Sequence, residues 1–303
     1  MASERKILIG PSSFAEKDRS PMDLLEKTGL RIVDNPYKRK LTKTELLSLM
    51  DQDVVGLIAG LETLDREVLS KSKLKCISRV GSGISNIDLA AAKEFNIVVK
   101  STPDGPTQAV AELAMGALLS LLRFIPQMNE DLHAGRWSKQ IGYQLEGRNC
   151  LVIGCGRIGK RVARLLKAFG GKILVYDPFA EAGLEYSKVT SLQEGLSEAD
   201  IITLHNSGDE RILGASEFGL MKDGVILLNA SRGSALDETA LVSALASKKV
   251  LGAWMDTFTE EPYKGPLTKF ANVILTPHVG SYTLECRKAM EMEAVNNLLS
   301  IIK

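Results

Sequence analysis

The chain has 303 residues, with 38 Lys and Arg against 37 Asp and Glu and a formal net charge of +1. That balance leaves no overall field to attract polyanions, so nucleic acid and anionic membranes are excluded as expected partners and small-molecule chemistry is favoured. A length of 303 residues exceeds what one hydrophobic core ordinarily fills, so two domains are expected.

In chain order, the N-terminus MASERKILIG lacks the apolar core of a signal peptide. From Lys6 onward strands and helices alternate: KILIG, a helix near residues 21–27, RIVD, a helix near 43–50, VVGLIAG, LDREVLSKS, LKCISRVG, IDLAAAKEF and NIVVK. Alternation of this kind builds a parallel sheet covered by helices. After the turn-rich STPDGP, the segment TQAVAELAMGALLSLLRFIPQMNEDLHAG reads as one long helix, apolar around most of its first half and therefore buried on several sides. Its apolar stretch, residues 109–122, contains Glu112 and falls short of the roughly 18 apolar residues of a membrane span. No membrane partner is expected, and a soluble, cytoplasmic protein is. A second alternating series covers residues 149–276, with strands at CLVI, KILVY, DIITL, VILLNA, VLGAWM and NVILT. The closing segment TLECRKAMEMEAVNNLLSIIK reads as a helix that returns to the first domain. The fold class expected is α/β: two doubly wound parallel-sheet domains, the first discontinuous (residues 1–100 with 284–303), the larger a Rossmann domain over residues 101–283. Cys76, Cys150, Cys155 and Cys286 show no C-x-x-C spacing and read as buried thiols in a reducing compartment, and no metal site is expected.

The segment LVIGCGRIG ends an apolar run in G-x-G-x-x-G, and Asp177 closes the next apolar run eighteen residues beyond Gly159. Gly154 permits the turn out of the strand, Gly156 lets backbone approach a pyrophosphate, and Gly159 lets the helix RIGKRVARLLKAF pack on the sheet. The pyrophosphate would sit at that helix's N-terminus. Asp177 would accept from the adenosine ribose and repel a 2′-phosphate, so NAD is favoured over NADP. Cys155 lies inside this loop.

Three further segments each put a reactive residue after a strand of the second series, at the edge where open parallel sheets bind ligands. Arg232 follows VILLNAS, Asp256, Glu260 and Glu261 follow GAWM, and His278 follows NVILTP. Oxidation of a 2-hydroxy acid needs a proton acceptor and an anchor for the carboxylate. His278 suits general acid–base work near neutral pH, and Arg232 suits paired donation to a carboxylate or oxyanion. Glu261, bonded to the far imidazole nitrogen, would fix the tautomer and favour the protonated ring. His133 and His205 read as surface or packing residues, and Glu260 as a solvated neighbour.

With RVGSGISNIDLAAAKEFNIVV, the AVAEL helix, LVIGCGRIGKRVA, NASRGSALDETAL, DTFTEEP and TPHVG in view, the chain resembles the D-isomer-specific 2-hydroxy-acid dehydrogenase family, in its 3-phosphoglycerate dehydrogenase-like branch. The resemblance implies two similar α/β domains with the active site between them, and a long helix at a homodimer interface. It implies catalysis by Arg232, Glu261 and His278, and substrate contacts from Ser82, Gly83, Arg232 and His278. Cofactor contacts are implied at Gly154, Gly156, Arg157, Ile158, Gly159, Asp177, Asn206, Ala230, Ser231, Arg232, Asp256, His278 and Gly280, with Asp256 on the carboxamide. Two departures stand out. The loop after His205, NSGDERIL, is shorter than the family's by roughly three residues, which affects Asn206 and Ser207. Where that branch places an arginine for a substrate phosphate, this chain reads Ala59, Gly60 and Leu61, with Lys38, Arg39 and Lys40 as the substitutes a neighbouring loop offers. The resemblance implies an NAD-dependent oxidoreductase for a small 2-hydroxy or 2-oxo acid, with glyoxylate or hydroxypyruvate reduction as the alternative reaction. An NAD-sensing, corepressor-like binding protein is the alternative of another class.

Overall fold

The computed structural model describes residues 5–179 and 186–302. The chain divides into two compact units, Met1–Pro106 with Ser281–Lys303, and Thr107–Gly280.

In the first unit five parallel strands, β1 (Lys6–Ile9), β2 (Arg31–Val33), β3 (Val54–Ala59), β4 (Cys76–Arg79) and β5 (Val98–Ser101), lie in the order β2-β1-β3-β4-β5. All six residues of β3 are buried, as a central strand covered on both faces requires. The covering helices begin with their own caps: Asp65 accepts from Val68 N, Asp88 accepts from Ala91 N, and Thr42 forms a reciprocal capping box with Glu45. The C-terminal helix Leu284–Ile302 closes this unit, burying Met290, Val295, Leu298, Leu299 and Ile302. At roughly 1.5–3 kcal/mol for each such side chain, that face accounts for the helix's return to a sheet begun at residue 6. Gly56 makes the approach possible, since a Cβ there would lie 3.0 Å from Leu298 Cδ1. A buried carboxylate ties the same helix down: Glu291 accepts from Ala15 N at 2.9 Å and pairs with Arg287, which also donates to Ser13 Oγ.

The second unit begins with a broken helix. The segment expected as one long helix is two, Pro106–Leu122 and Ile125–His133, bent by 66° at Phe124, whose φ is +52°. Pro126 supplies the reason: in a continuous helix its ring would collide with the Leu122 carbonyl, whereas in a first turn its missing N–H costs nothing. Among the described residues no single helix is long and apolar enough to cross a membrane, and the bent pair reaches that length only across its break. The apolar side of the first helix, Ala111, Ala114, Leu118, Leu121 and Leu122, packs into a core with Val152, Leu166 and Trp254.

Seven parallel strands follow: β6 (Asn149–Ile153), β7 (Lys172–Tyr176), β8 (Ser187–Lys188), β9 (Ile201–Leu204), β10 (Val225–Asn229), β11 (Val250–Met255) and β12 (Val273–Leu275). Six were expected; β8 is two exposed residues on the edge beyond β7, too short and too polar to carry a periodic signal. The order β12-β11-β10-β9-β6-β7-β8 places the reversal of strand order between β6 and β9, so the loops leaving those two strands meet at the carboxyl edge.

Candidate active site

The glycine-rich loop leaves β6 at that reversal. Gly154 has φ +86°, and a Cβ on it would lie 2.5 Å from Asn206 N, so the turn and the β9 loop exclude any side chain. A Cβ on Gly159 would lie 2.0 Å from the Gly154 carbonyl oxygen, which is the close helix–strand packing expected. Gly156 differs: a Cβ there meets nothing within 4 Å, and this N-cap offers no side chain to the Arg157–Ala168 helix. The first turn, with Arg157 and Ile158, therefore presents its N–H groups and positive dipole end beside open space, as an anionic pyrophosphate needs. Asp177, at the end of β7, accepts from Cys155 N at 2.7 Å and Phe179 N at 2.8 Å. The carboxylate thus braces the phosphate loop, and each oxygen keeps a second acceptor direction for a ribose hydroxyl.

His205 and Asn206, on the facing loop, sit against Gly154. Thr203 Oγ1 lies 2.8 Å from His205 Nε2, while His205 Nδ1 and Asn206 Oδ1 are buried without a hydrogen-bond partner among the described residues. Burial holds the imidazole pKa down to about 3, so the ring is neutral. Orphaned polar atoms beside a cradle of glycine backbone fit a polar ligand such as a dinucleotide. The four thiols are buried, and burial pushes Cys76 and Cys286 up to about 11 and Cys150 up to about 12. Cys155, in the phosphate loop, is raised for the same reason and is held as an unreactive thiol.

Along the same edge the loops after β10, β11 and β12 carry the remaining residues. His278 Nδ1 lies 3.0 Å from Glu261 Oε2, and Glu261 Oε1 accepts from Phe258 N at 3.1 Å. Both side chains are about one-third exposed, so the imidazole reaches solvent while its far nitrogen is held. His133, by contrast, is exposed at the end of its helix, and Glu260 is exposed as expected. Arg232 is half-buried, with Nη1 donating to the Ser231 carbonyl at 2.9 Å. Its loop is pressed onto the loop that carries Glu261: a Cβ on Gly233 would fall 2.0 Å from the Phe258 carbonyl carbon.

Two polar side chains that the sequence did not single out hold these loops. Asn229, fully buried at the end of β10, accepts from Ser231 N and Oγ at 3.0 and 2.9 Å and donates to the Arg232 carbonyl at 2.9 Å. It clamps the turn of Ala230, Ser231 and Arg232 from below. Asp256, expected on a carboxamide, accepts from Thr276 Oγ1, Val279 N and Gly280 N at 2.6, 3.0 and 2.8 Å, and so straddles the His278 turn. Thr276 is the second, and it also accepts from Trp254 Nε1 at 2.9 Å. An Asn or Thr at a strand end is a familiar sequence feature, but nothing in the spacing reveals that its polar atoms turn inward.

Ser82 and Gly83 lie in the first unit, in the turn that follows β4. In this unit the strand order reverses between β1 and β3, and the place is filled from within. Glu62, 1% exposed, accepts from Gly60 N at 2.9 Å, and a Cβ on Gly10 would lie 2.1 Å from Glu62 Oε1. Burial raises this carboxyl above the ordinary glutamate range. The basic triplet is exposed, and Arg39 is committed to Glu45 through bonds of 2.9 and 2.5 Å.

Residues 115–280 match the family described as D-isomer specific 2-hydroxyacid dehydrogenase, NAD binding domain, which covers just over half of the chain. The chain belongs to the D-isomer specific 2-hydroxyacid dehydrogenase family. It is 41% identical over 261 residues to D-3-phosphoglycerate dehydrogenase of Methanocaldococcus jannaschii, covering 82% of this chain and 50% of that protein. The chain spans about half the length of the curated relatives it matches. Among solved structures, the TT0316 protein from Thermus thermophilus is 32% identical with a TM-score of 0.90, covering 98% of this chain and 96% of that one. A glyoxylate reductase from Paecilomyes thermophila is 31% identical with a TM-score of 0.86, covering 100% and 96%. The dinucleotide expected from the glycine loop is thus NAD, as the family's domain description states.

Proposed function

We propose that the protein is an NAD-dependent oxidoreductase acting at C2 of a small 2-hydroxy or 2-oxo acid, with Arg232, Glu261 and His278 as its catalytic residues. The observation that carries this reading is the 3.0 Å bond between His278 and Glu261, on the same sheet edge as the glycine-rich loop. Bound NAD would supply the hydride acceptor, held by the loop of Gly154, Gly156 and Gly159 and by Asp177. The chain's own residues do the rest. With Nδ1 occupied by Glu261, His278 keeps Nε2 for the substrate oxygen, taking the hydroxyl proton on oxidation and returning it on reduction. Glu261 stabilises the imidazolium that forms and fixes the ring's orientation. Arg232 grips the substrate carboxylate through a planar fork of donors, with Ser82 and Gly83 proposed as further contacts.

The substrate has two readings. The relatives' name points to 3-phosphoglycerate. The loop after β3 favours an unphosphorylated acid such as glyoxylate or hydroxypyruvate: Ala59, Gly60 and Leu61 carry no charge, Glu62 brings an acidic group and no cation, and Arg39 is already paired. We further place the protein in the cytoplasm, where buried free thiols persist. A homodimer is proposed from the apolar surface at Leu132, Trp137 and Ile141, which are 56%, 81% and 96% exposed. Loss of NADH absorbance across a panel of 2-oxo acids tests the activity, and light scattering tests the dimer. NADH binding without turnover on any acid would instead establish the cofactor-sensing alternative.

A further inference from the structure

His278 occupies the left-handed region, φ +54°, which a side chain with a Cβ enters only when its surroundings hold it there. The restraint comes from below. His278 N donates to the Thr276 carbonyl at 2.9 Å, and the flanking residues on both sides hang from Asp256, Thr276 through its hydroxyl and Val279 and Gly280 through their N–H groups. The direction of these bonds is fixed by chemistry. An indole N–H only donates, and both Asp256 oxygens already accept backbone N–H groups, so the one proton of the Thr276 hydroxyl points to Asp256 while its oxygen receives Trp254 Nε1. Trp254 is fully buried in β11, one strand away from β12, and the Thr276 N–H continues the ladder to the Met255 carbonyl at 3.0 Å.

We propose that Trp254 and Thr276 are positioning residues for His278, transmitting the rigidity of the sheet core to the imidazole through an indole–hydroxyl–carboxylate chain. This inference rests on His278 being the proton-transfer residue. An imidazole free to swing by even an ångström loses its alignment with the substrate oxygen while remaining chemically competent, so the loss falls on kcat.

The test compares Thr276→Val, Thr276→Ser, Trp254→Phe and His278→Ala in steady-state reduction of the best 2-oxo acid, alongside NADH affinity by fluorescence titration. Thr276→Val, nearly isosteric, is expected to lower kcat about tenfold, the factor that about 1.4 kcal/mol of lost transition-state stabilisation produces, with NADH affinity and KM within about twofold. Thr276→Ser restores the hydroxyl and most of kcat. Trp254→Phe removes the N–H together with part of the buried indole, so its expected loss of about threefold in kcat is read beside NADH affinity and unfolding free energy, which monitor the packing, and Thr276→Ala takes the place of the valine variant if that fails to fold. Wild-type kcat in both Thr276→Val and Trp254→Phe, with His278→Ala inactive, overturns the inference and leaves the proposed function standing. Failure of the serine to restore kcat also overturns it. Full turnover by His278→Ala removes the assignment of His278 and this inference with it.

Discussion

His205 makes the stability of the second unit sensitive to acid, because burial holds its imidazole neutral. Its folded pKa of about 3 lies below the ordinary 6.5 because burial disfavours the imidazolium. The folded chain therefore keeps the ring neutral while the unfolded chain binds a proton. The stabilisation is fully present above about pH 6.5 and is lost as pH falls, by about 1.4 kcal/mol per pH unit, until the folded ring itself titrates near 3. Between pH 7.5 and 4.5 the loss from this residue alone is about 2.7 kcal/mol. The perturbation is His205→Gln, which keeps an amide nitrogen near the Thr203 hydroxyl but does not titrate. Both tryptophans of the chain, Trp137 and Trp254, lie in the second unit, so intrinsic fluorescence during urea unfolding reports on the unit that contains His205. Titrations at pH 7.5, 6.5, 5.5 and 4.5 should show the wild-type unfolding free energy falling faster than that of the variant, with the gap narrowing by about 2.7 kcal/mol at the acid end. The carboxylates titrate equally in both proteins and cancel in the difference. Parallel pH dependences, within about 0.5 kcal/mol, would refute the claim that the ring is held neutral by burial.

Replacement of His278 by Ala should lower kcat by about 10²–10⁴-fold with little change in NADH affinity. Glu261→Gln should lower kcat with little change in NADH affinity, because a neutral amide at 3.0 Å neither fixes the ring as a carboxylate does nor balances a charge on it; wild-type kcat in this variant would leave Glu261 a purely structural part. The wild-type protein should prefer NAD to NADP, and Asp177→Ala should narrow that preference while loosening the phosphate loop, since the same carboxylate receives Cys155 N; equal kcat/KM for both cofactors in the wild type would overturn the role of Asp177. Hydroxypyruvate should be reduced with higher kcat/KM than phosphohydroxypyruvate, and a strong preference for the phosphorylated acid that survives replacement of Lys38, Arg39 and Lys40 by Ala would contradict the reading of the β3 loop.

The parts of this protein that were legible in its sequence are those governed by period and by backbone. Buried parallel strands announce themselves as apolar runs, and Gly154 and Gly159 could be assigned separate duties because each turn tolerates no Cβ. The positions of Arg232, Glu261 and His278 were legible for a related reason: each follows a strand, and topology sends every strand's exit to the same edge. What the spacing could not carry was the aim of side chains. Asp177 and Asp256 were both read as reaching toward a cofactor, and the spacing gave no sign that each also receives backbone from neighbouring loops, Asp177 from Cys155 N and Asp256 from Val279 N and Gly280 N. Asn229 and Thr276 were passed over because their function is to satisfy buried backbone and carboxylate groups, which is a property of the assembled sheet edge and has no counterpart in a linear pattern. The break at Phe124 was closer to the surface of the text: Pro126 stands four residues after Leu122, and a helix that long had either to kink or to start again. A site of this kind is therefore written in two layers. The reacting groups are set by where strands end, and their precision is set by inward-facing amides, hydroxyls and carboxylates that anchor the loops to the core. Conservative changes in that second layer should leave the fold and the cofactor site intact while eroding the rate.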